Sequence, residues 1–183
     1  MTSARVSASA VKGRGCACFA RAQEWTRAGL GLRNGERVSG LAALLAGRRP
    51  PGMYVWRSNA AGTDIAHAAE KARWTPFVVD GRTAATKGAF LHTVATACAF
   101  PTWFGHDWDA LADCLADLSW VPAERGYLVV YDGWGMLAWT EPQSWHSLRA
   151  VFHEACSRWA ETATPMAVLL RGPGPADDLP ELS

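Results

Sequence analysis

From residue 53 onward the chain alternates short apolar runs with stretches in which apolar residues recur every three or four positions. The runs are Met53-Tyr-Val-Trp-Arg57, Pro76-Phe-Val-Val-Asp80, Tyr127-Leu-Val-Val-Tyr131 and Met166-Ala-Val-Leu-Leu170. Short, rich in Val, Leu and aromatic residues, and bounded by turn-forming residues, they predict strands. Between them the spacing predicts helices over residues 63–73, 83–98, 107–118 and 142–160. Phe90, Leu91, Val94 and Cys98 form one stripe in the second of these, and Trp145, Leu148, Phe152, Ala155 and Trp159 another in the last. A loop through Pro101-Thr-Trp-Phe-Gly105 leads into the third helix, and a Gly-Trp-Gly loop follows the third strand. Strands separated by helices need crossover connections. The expected fold is therefore α/β, a small parallel sheet of three to four strands packed with helices.

Upstream the pattern is weaker. Residues 39–47 predict a short helix with Ser39 at its N-cap and Gly47 as its stop, followed by the breaker Arg48-Arg-Pro-Pro-Gly52. Residues 1–38, rich in Ala, Ser, Gly and Arg, lack periodicity and read as a basic, flexible leader. A chain beginning near Gly47 is accordingly expected to fold as well as the whole. The expected division is leader 1–38, an extension over 39–73 (short helix, strand, helix), a main domain over 74–172, and a flexible tail over 173–183.

Composition narrows the function classes. The chain has 183 residues, 49% hydrophobic and 19% charged, enough to bury a core. No apolar run approaches the roughly 18–20 residues of a membrane span. Arg14, Arg21 and Gln23 interrupt the apolar cluster near the start, so no secretion signal is expected. Five cysteines, an odd count, fit reduced thiols and a cytoplasmic location better than a disulfide framework. The net charge of +1 hides an asymmetry: residues 1–50 hold nine basic residues and two acids, the remainder nine basic residues and fifteen acids. The leader's arginines are scattered, which makes a nucleic-acid-binding arm the weaker reading of it.

Enzyme signatures are lacking. Gly81-Arg-Thr-Ala-Ala-Thr-Lys87-Gly88 sits where a phosphate loop would, without the Gly before the Lys or the Ser/Thr after it. Neither a G-x-S-x-G elbow nor a G-x-G-x-x-G fingerprint occurs. Cys16-x-Cys18 has no second pair, and His67, His92, His146 and His153 fall singly on predicted helices. No catalysis, cofactor or metal is expected.

The helix over 107–118 differs from the rest. Trp108, Leu111, Leu115 and Leu118 fall on one side, and Asp109, Asp113 and Asp117, spaced i, i+4, i+8, fall opposite. Like charges at that spacing destabilise a helix by a few tenths of a kcal/mol per pair. No Lys or Arg between Lys87 and Arg125 offsets them. Three readings compete: a solvated face, a metal site of His106, Asp107 and Asp109, or an epitope for a basic partner. The third is favoured by Trp103 and Phe104, beside a Gly105 able to hold a special backbone conformation.

Trp103-Phe104-Gly105 followed by Asp107-x-Asp109-Ala110-Leu111-x-Asp113-Cys114-Leu115 resembles the barstar family of intracellular inhibitors of the ribonuclease barnase. Phe152-x-Glu154-Ala155 in the long helix matches as well, and the resemblance runs from about Trp74 to Arg171. It implies a function without catalysis: occlusion of a basic, guanyl-specific ribonuclease by groups that mimic RNA phosphate. By that resemblance Asp113 fills the enzyme's phosphate site, Asp109 sits in the guanine region, and Trp103 stacks on the catalytic histidine. Phe104 and Gly105 shape the loop, Asp107 and Trp120 complete the expected ribonuclease-binding set, and Glu154 adds a peripheral ion pair. Glu154 also has an ordinary reading, a surface pair with Arg158 at i+4. The partner implied is a secreted or toxin ribonuclease, bound 1:1 by a monomer in the cytoplasm, with neither nucleic acid nor membrane involved. An immunity protein, or antitoxin, against a different ribonuclease toxin is the close variant; a small metal-binding protein or enzyme is the distant one. Departures from the family's archetype surround the contact: Ala112 replaces Trp, His106 replaces an acid, and the segment from Cys114 to Trp120 is two residues longer.

Overall fold

The computed structural model describes residues 40–175 and 178–183. The leader, Ser39 and the Cys16/Cys18 pair lie outside the described residues. In chain order the elements are α1 (Gly40–Leu45), β1 (Met53–Val55), α2 (Gly62–Lys71), β2 (Trp74–Asp80), α3 (Lys87–Ala97), α4 (Trp108–Asp117), β3 (Gly126–Asp132), α5 (Gly135–Thr140), α6 (Pro142–Ala160) and β4 (Met166–Arg171). The strands form one sheet in the order β1-β4-β3-β2, with every pair parallel. The chain is α/β, as its apolar pattern predicts.

β3 and β4 occupy the centre, and their near-continuous burial follows from helices lying on both faces. Alternation sends Tyr127, Val129, Tyr131, Met166, Val168 and Leu170 to a front core shared with α3, α4, α5 and α6. It sends Leu128, Val130, Ala167 and Leu169 to a back core closed by α1, α2 and Leu182. At the β2 edge Pro76 has no N–H to leave unpaired.

Several boundaries differ from the sequence expectation, each for a physical reason. The long α3 stripe starts at Lys87 rather than Thr83, because the Thr86 hydroxyl caps the helix by accepting the Ala89 N–H. β2 and β3 begin at Trp74 and Gly126, which pair with each other. The Gly-Trp-Gly loop turns at Gly133 (φ 71°) into α5, whose six residues are too few for a periodic signal. α5 is held by packing: Trp134 lies 4.8 Å from Trp145 between ring centres, and Leu137 and Ala138 are buried.

The two ends of the described chain close the back core together. α1 buries Leu41, Leu44 and Leu45 there, and Trp74 donates its indole N–H to the Leu45 carbonyl at 3.2 Å. A chain beginning near Gly47 would lose all of these contacts, which bears against the expectation that it folds equally well. Residues 178–183, read from sequence as tail, line the free edge of β1. Val55 donates to the Pro180 carbonyl at 3.0 Å, Leu182 donates back to the Val55 carbonyl at 2.8 Å, and the Leu182 side chain is buried. Arg171, at the end of β4, reaches from the sheet into the chain between β1 and α2. It pairs with Asp132 at 2.7 Å, donates to the carbonyls of Ser58 and Ala60, and lies over the Trp56 ring.

Cys98, Cys114 and Cys156 are buried free thiols. Burial pushes Cys156 up to about 12 and Cys98 higher, which makes both poor nucleophiles. Among the described residues no helix is long and apolar enough to cross a membrane.

Candidate functional site

α4 starts on Asp107, whose backbone is extended (φ −129°, ψ 176°) and whose carboxylate accepts the Ala110 N–H at 2.8 Å. This is an N-cap, and Asp109 in the first turn adds a favourable charge near the positive end of the helix dipole. Leu111, Cys114 and Leu115 face inward, and Leu118, left-handed at φ 46°, ends the helix with its side chain buried. From α6, Trp159 donates its indole N–H to the Leu115 carbonyl at 2.7 Å, anchoring the lower part of the helix.

The outer side carries Asp109, Asp113 and Asp117, all exposed. None of the three joins an ion pair among the described residues, and Asp117 merely accepts the Ser119 hydroxyl at 3.1 Å. No basic residue stands in the last turn. On the neighbouring α3, Lys87 holds its ammonium 5.2 Å from the centre of the Trp108 ring. The aspartate field is felt inside the helix: the Cys114 thiol is raised first by burial, then by the charges of Asp113 and Asp117.

The preceding loop is built from rings. Phe104 is 6% exposed and packs edge-on against Phe100 at 4.9 Å; Phe100 meets Trp120 at 6.1 Å. Trp120 is fixed by its indole N–H to the Cys98 carbonyl at 3.3 Å, and Trp103 stands against it edge-on at 6.2 Å. Trp103 itself is 61% exposed, held by its support and open to solvent.

The special backbone expected at Gly105 falls on the next residue instead. His106 is left-handed (φ 54°), while Gly105 is not among the positive-φ glycines. What Gly105 supplies is room: a Cβ there would lie 3.3 Å from the Asp107 carboxylate that caps α4.

The structure thus brings Trp103, Phe104, Gly105, Asp107, Asp109, Asp113 and Trp120 onto one loop-and-helix unit. Asp107 spends one oxygen on the cap, which leaves Asp109 and Asp113 as the open carboxylates. Glu154 lies exposed on α6 and makes no hydrogen bond or ion pair among the described residues, Arg158 included. The His106, Asp107, Asp109 metal reading finds no support: no group of three or more His, Cys, Asp or Glu among the described residues could hold a metal ion. Sequence reasoning treated His92 as an isolated helix histidine, yet its ring stacks on His106 at 6.5 Å. No local pattern signals that contact, because it joins α3 to the loop across the turn at residues 98–101.

A family model, Barstar (barnase inhibitor), matches residues 74–171, which is more than half of the chain and includes the whole loop-and-helix unit. The chain belongs to the barstar family. Members of this family are inhibitors rather than enzymes, and they bind a ribonuclease. The match starts at β2 and ends with β4, so α1, β1, α2 and the C-terminal residues lie outside the matched span. A search of curated proteins finds no match. Solved structures similar to this chain include the Aeropyrum pernix ORC2 protein in its ADP form, at 17% identity and a TM-score of 0.48, covering 74% of this chain and 39% of that one. The ADPNP-ADP complexes of the same protein also match, at 17% identity and 0.48, covering 85% and 41%. The chain therefore spans about two fifths of those structures. At that similarity they carry no functional argument beside the barstar match.

Proposed function

We propose that this barstar-family chain inhibits a basic, guanyl-specific, barnase-like ribonuclease by seating α4 and the Trp103 loop in its active site. The observation that carries the proposal is the unpaired row on α4: Asp109 and Asp113 face solvent without a partner, next to an exposed tryptophan braced by Trp120. Carboxylates left open beside an apolar anchor suit a surface that is complete only when a cation-rich cleft covers it.

The chemistry of the cleft favours this reading. A ribonuclease needs arginine forks and a positive field to hold RNA phosphates, and a guanidinium fork accepts carboxylate in much the same geometry as phosphate. Asp113, midway along the open face, is assigned to the phosphate position and Asp109 to the base region. Trp103 is assigned to stack on the catalytic histidine. Phe104 and Gly105 set the loop, Asp107 fixes the start of α4, and Trp120 braces Trp103. Glu154 is a rim contact at most, since α6 leaves it solvated. The complex is 1:1 and forms in the cytoplasm, with no role for nucleic acid or membrane.

Titrating barnase with the chain in a fluorogenic RNA-cleavage assay tests the proposal. Cleavage should fall to zero at a 1:1 molar ratio, and calorimetry should return the same stoichiometry. Undiminished cleavage under a large excess of the chain would remove the barnase-like assignment.

A further inference from the structure

Arg48, Lys71 and Arg125 are exposed cations, and none joins an ion pair or a side-chain hydrogen bond among the described residues. Backbone contacts gather them around the start of β2. Trp74 opens that strand with its indole N–H on the Leu45 carbonyl at 3.2 Å, and the chain then turns at Gly47 (φ 70°) into Arg48. Arg125 donates its N–H to the Arg73 carbonyl at 3.1 Å, and Lys71 ends α2 just before Arg73. The acids at this corner are Glu124, paired with Arg73 at 3.0 Å, and Glu70, which faces His67 at 3.9 Å. The corner is cationic on balance.

We infer that this basic corner takes the α4 face of a second copy, so that free molecules join head to tail through the surface they turn to the ribonuclease. Complementary charge selects the occupant. Asp109, Asp113 and Asp117 form an exposed row without an ion pair among the described residues, and arginine forks recognise carboxylates. The row and the corner belong to different sides of the sheet: α4 packs on the front core, α1 and α2 on the back. One copy leaves both unpaired, so the pairing falls between copies. The two patches differ, which makes the contact heterologous, and such contacts continue into open chains unless the rotation closes a ring. Exposed ion pairs contribute under about 1 kcal/mol each, so the association is weak and needs several at once.

Competition with the enzyme rests on the ribonuclease reading above, whereas the pairing between copies rests on the two charge clusters. In an open chain of copies, every α4 face but the terminal one is covered. A ribonuclease cleft that desolvates Asp109 and Asp113 binds them more tightly than a solvated corner does. The enzyme therefore takes such a chain apart, one copy at a time.

Sedimentation equilibrium of the full chain reads its weight-average mass in about 10 mM and about 500 mM salt, where the Debye length is roughly 30 Å and a few ångströms. The wild type should exceed the monomer mass at low salt and return to it at high salt. Two reversed variants follow. Arg48→Glu/Lys71→Glu/Arg125→Glu is acidic at both patches; Asp113→Arg/Asp117→Arg is basic at both, and cations suit the end of a helix. Each alone should sediment as a monomer, and their equimolar mixture should associate again, a result that misfolded variants cannot give. A wild type that stays monomeric at low salt overturns the inference, as does one that binds a uridine decamer through the corner instead of a second copy. Self-association that survives in the first variant alone also overturns it. Equimolar barnase should convert the wild-type assembly into a 1:1 complex. Failure to do so, with the mixing result intact, counts against the ribonuclease reading and leaves the pairing between copies standing.

Discussion

The front and back of the sheet are covered by different kinds of chain. On the front, α3 to α6 belong to the barstar match, and one of them, α4, keeps a row of carboxylates with no cation opposite. On the back, α1, α2 and Leu182 lie outside that match, and Arg171 reaches toward them, tied to Asp132 and to two carbonyls of the β1–α2 connection. β3 and β4 make the reason plain, since Leu128, Val130, Ala167 and Leu169 would face water if residues 74–171 stood alone. The segments outside the match close the back core. Asp109 and Asp113, by contrast, are exposed and have no ion pair or hydrogen bond through their carboxylates among the described residues. An acidic residue is thus informative for function only after its internal partners have been counted.

The largest way to break this contrast is to remove the back cover. A chain starting at residue 47 loses three buried leucines, each contributing about 1.5–3 kcal/mol, together with the acceptor of the Trp74 indole. A loss of about 5 kcal/mol in unfolding free energy is expected by urea denaturation, relative to a chain starting at residue 39. An unchanged denaturation midpoint would show that α1 is an ornament on a self-sufficient domain.

The front face should respond in the opposite way. Asp113→Ala is expected to cost about 4 kcal/mol of affinity for the inhibited ribonuclease, by leaving several partner cations unpaired, with the melting temperature barely moved. Asp117→Ala, a turn further along and turned toward Ser119, should cost under about 1 kcal/mol. Comparable small losses for both would mean that α4 does not meet the enzyme.

Arg171→Ala sharpens the boundary between the faces. The side chain is 9% exposed, and its removal strands Asp132 and frees the Ser58 and Ala60 carbonyls. Breaking such a pair costs about 3 kcal/mol of stability. The inhibition constant of the folded fraction should stay unchanged. A loss of inhibition without a loss of stability would place Arg171 in the site instead.

What the sequence made legible follows the reach of local patterns. Strands buried on both faces read as unbroken apolar runs, so β3 and β4 were found almost to the residue. Asp107 with Asp109 announces the start of α4, and the Leu111/Leu115/Leu118 stripe announces its buried side. The signal fails where contacts are distant or elements are short. α5 has too few residues for a period, and α1 gains its meaning only against Trp74 and Leu182. Gly105 drew the conformational argument because glycine is the usual left-handed residue, whereas His106 adopts that backbone under constraint from the ring contacts around it. The aspartate row was visible in the spacing. That it lacks a partner, which is what gives it meaning, needed the neighbours of α4 in three dimensions.

The smallest expected effect lies where the sheet ends. Asp80 and Asp132 are register partners on β2 and β3, and their carboxyls shift in opposite directions. Arg82 lowers Asp80, first through side-chain hydrogen bonds of 2.8 and 2.6 Å. Burial raises Asp132, outweighing the attraction of Arg171. Asp80 ionises more readily in the fold, so its contribution is present above the unfolded value near 3.8 and is lost as the pH falls through its lowered native value. Asp132 binds its proton more readily in the fold, so its contribution is complete below 3.8 and is lost as the pH rises through its raised native value. The two oppose each other on the acid limb. Asp80 is 48% exposed in its side chain, and solvent screening keeps its share under about 1 kcal/mol. Asp80→Asn should therefore cost less than about 1 kcal/mol at pH 7 and nothing once the pH is well below the carboxylate range. Asp132→Asn removes the opposing contribution, so its stability should fall more steeply than wild type on acidification. Urea denaturation of the three proteins across the acid range measures both slopes, and parallel acid limbs in all three would show that neither strand-end carboxylate titrates with the fold.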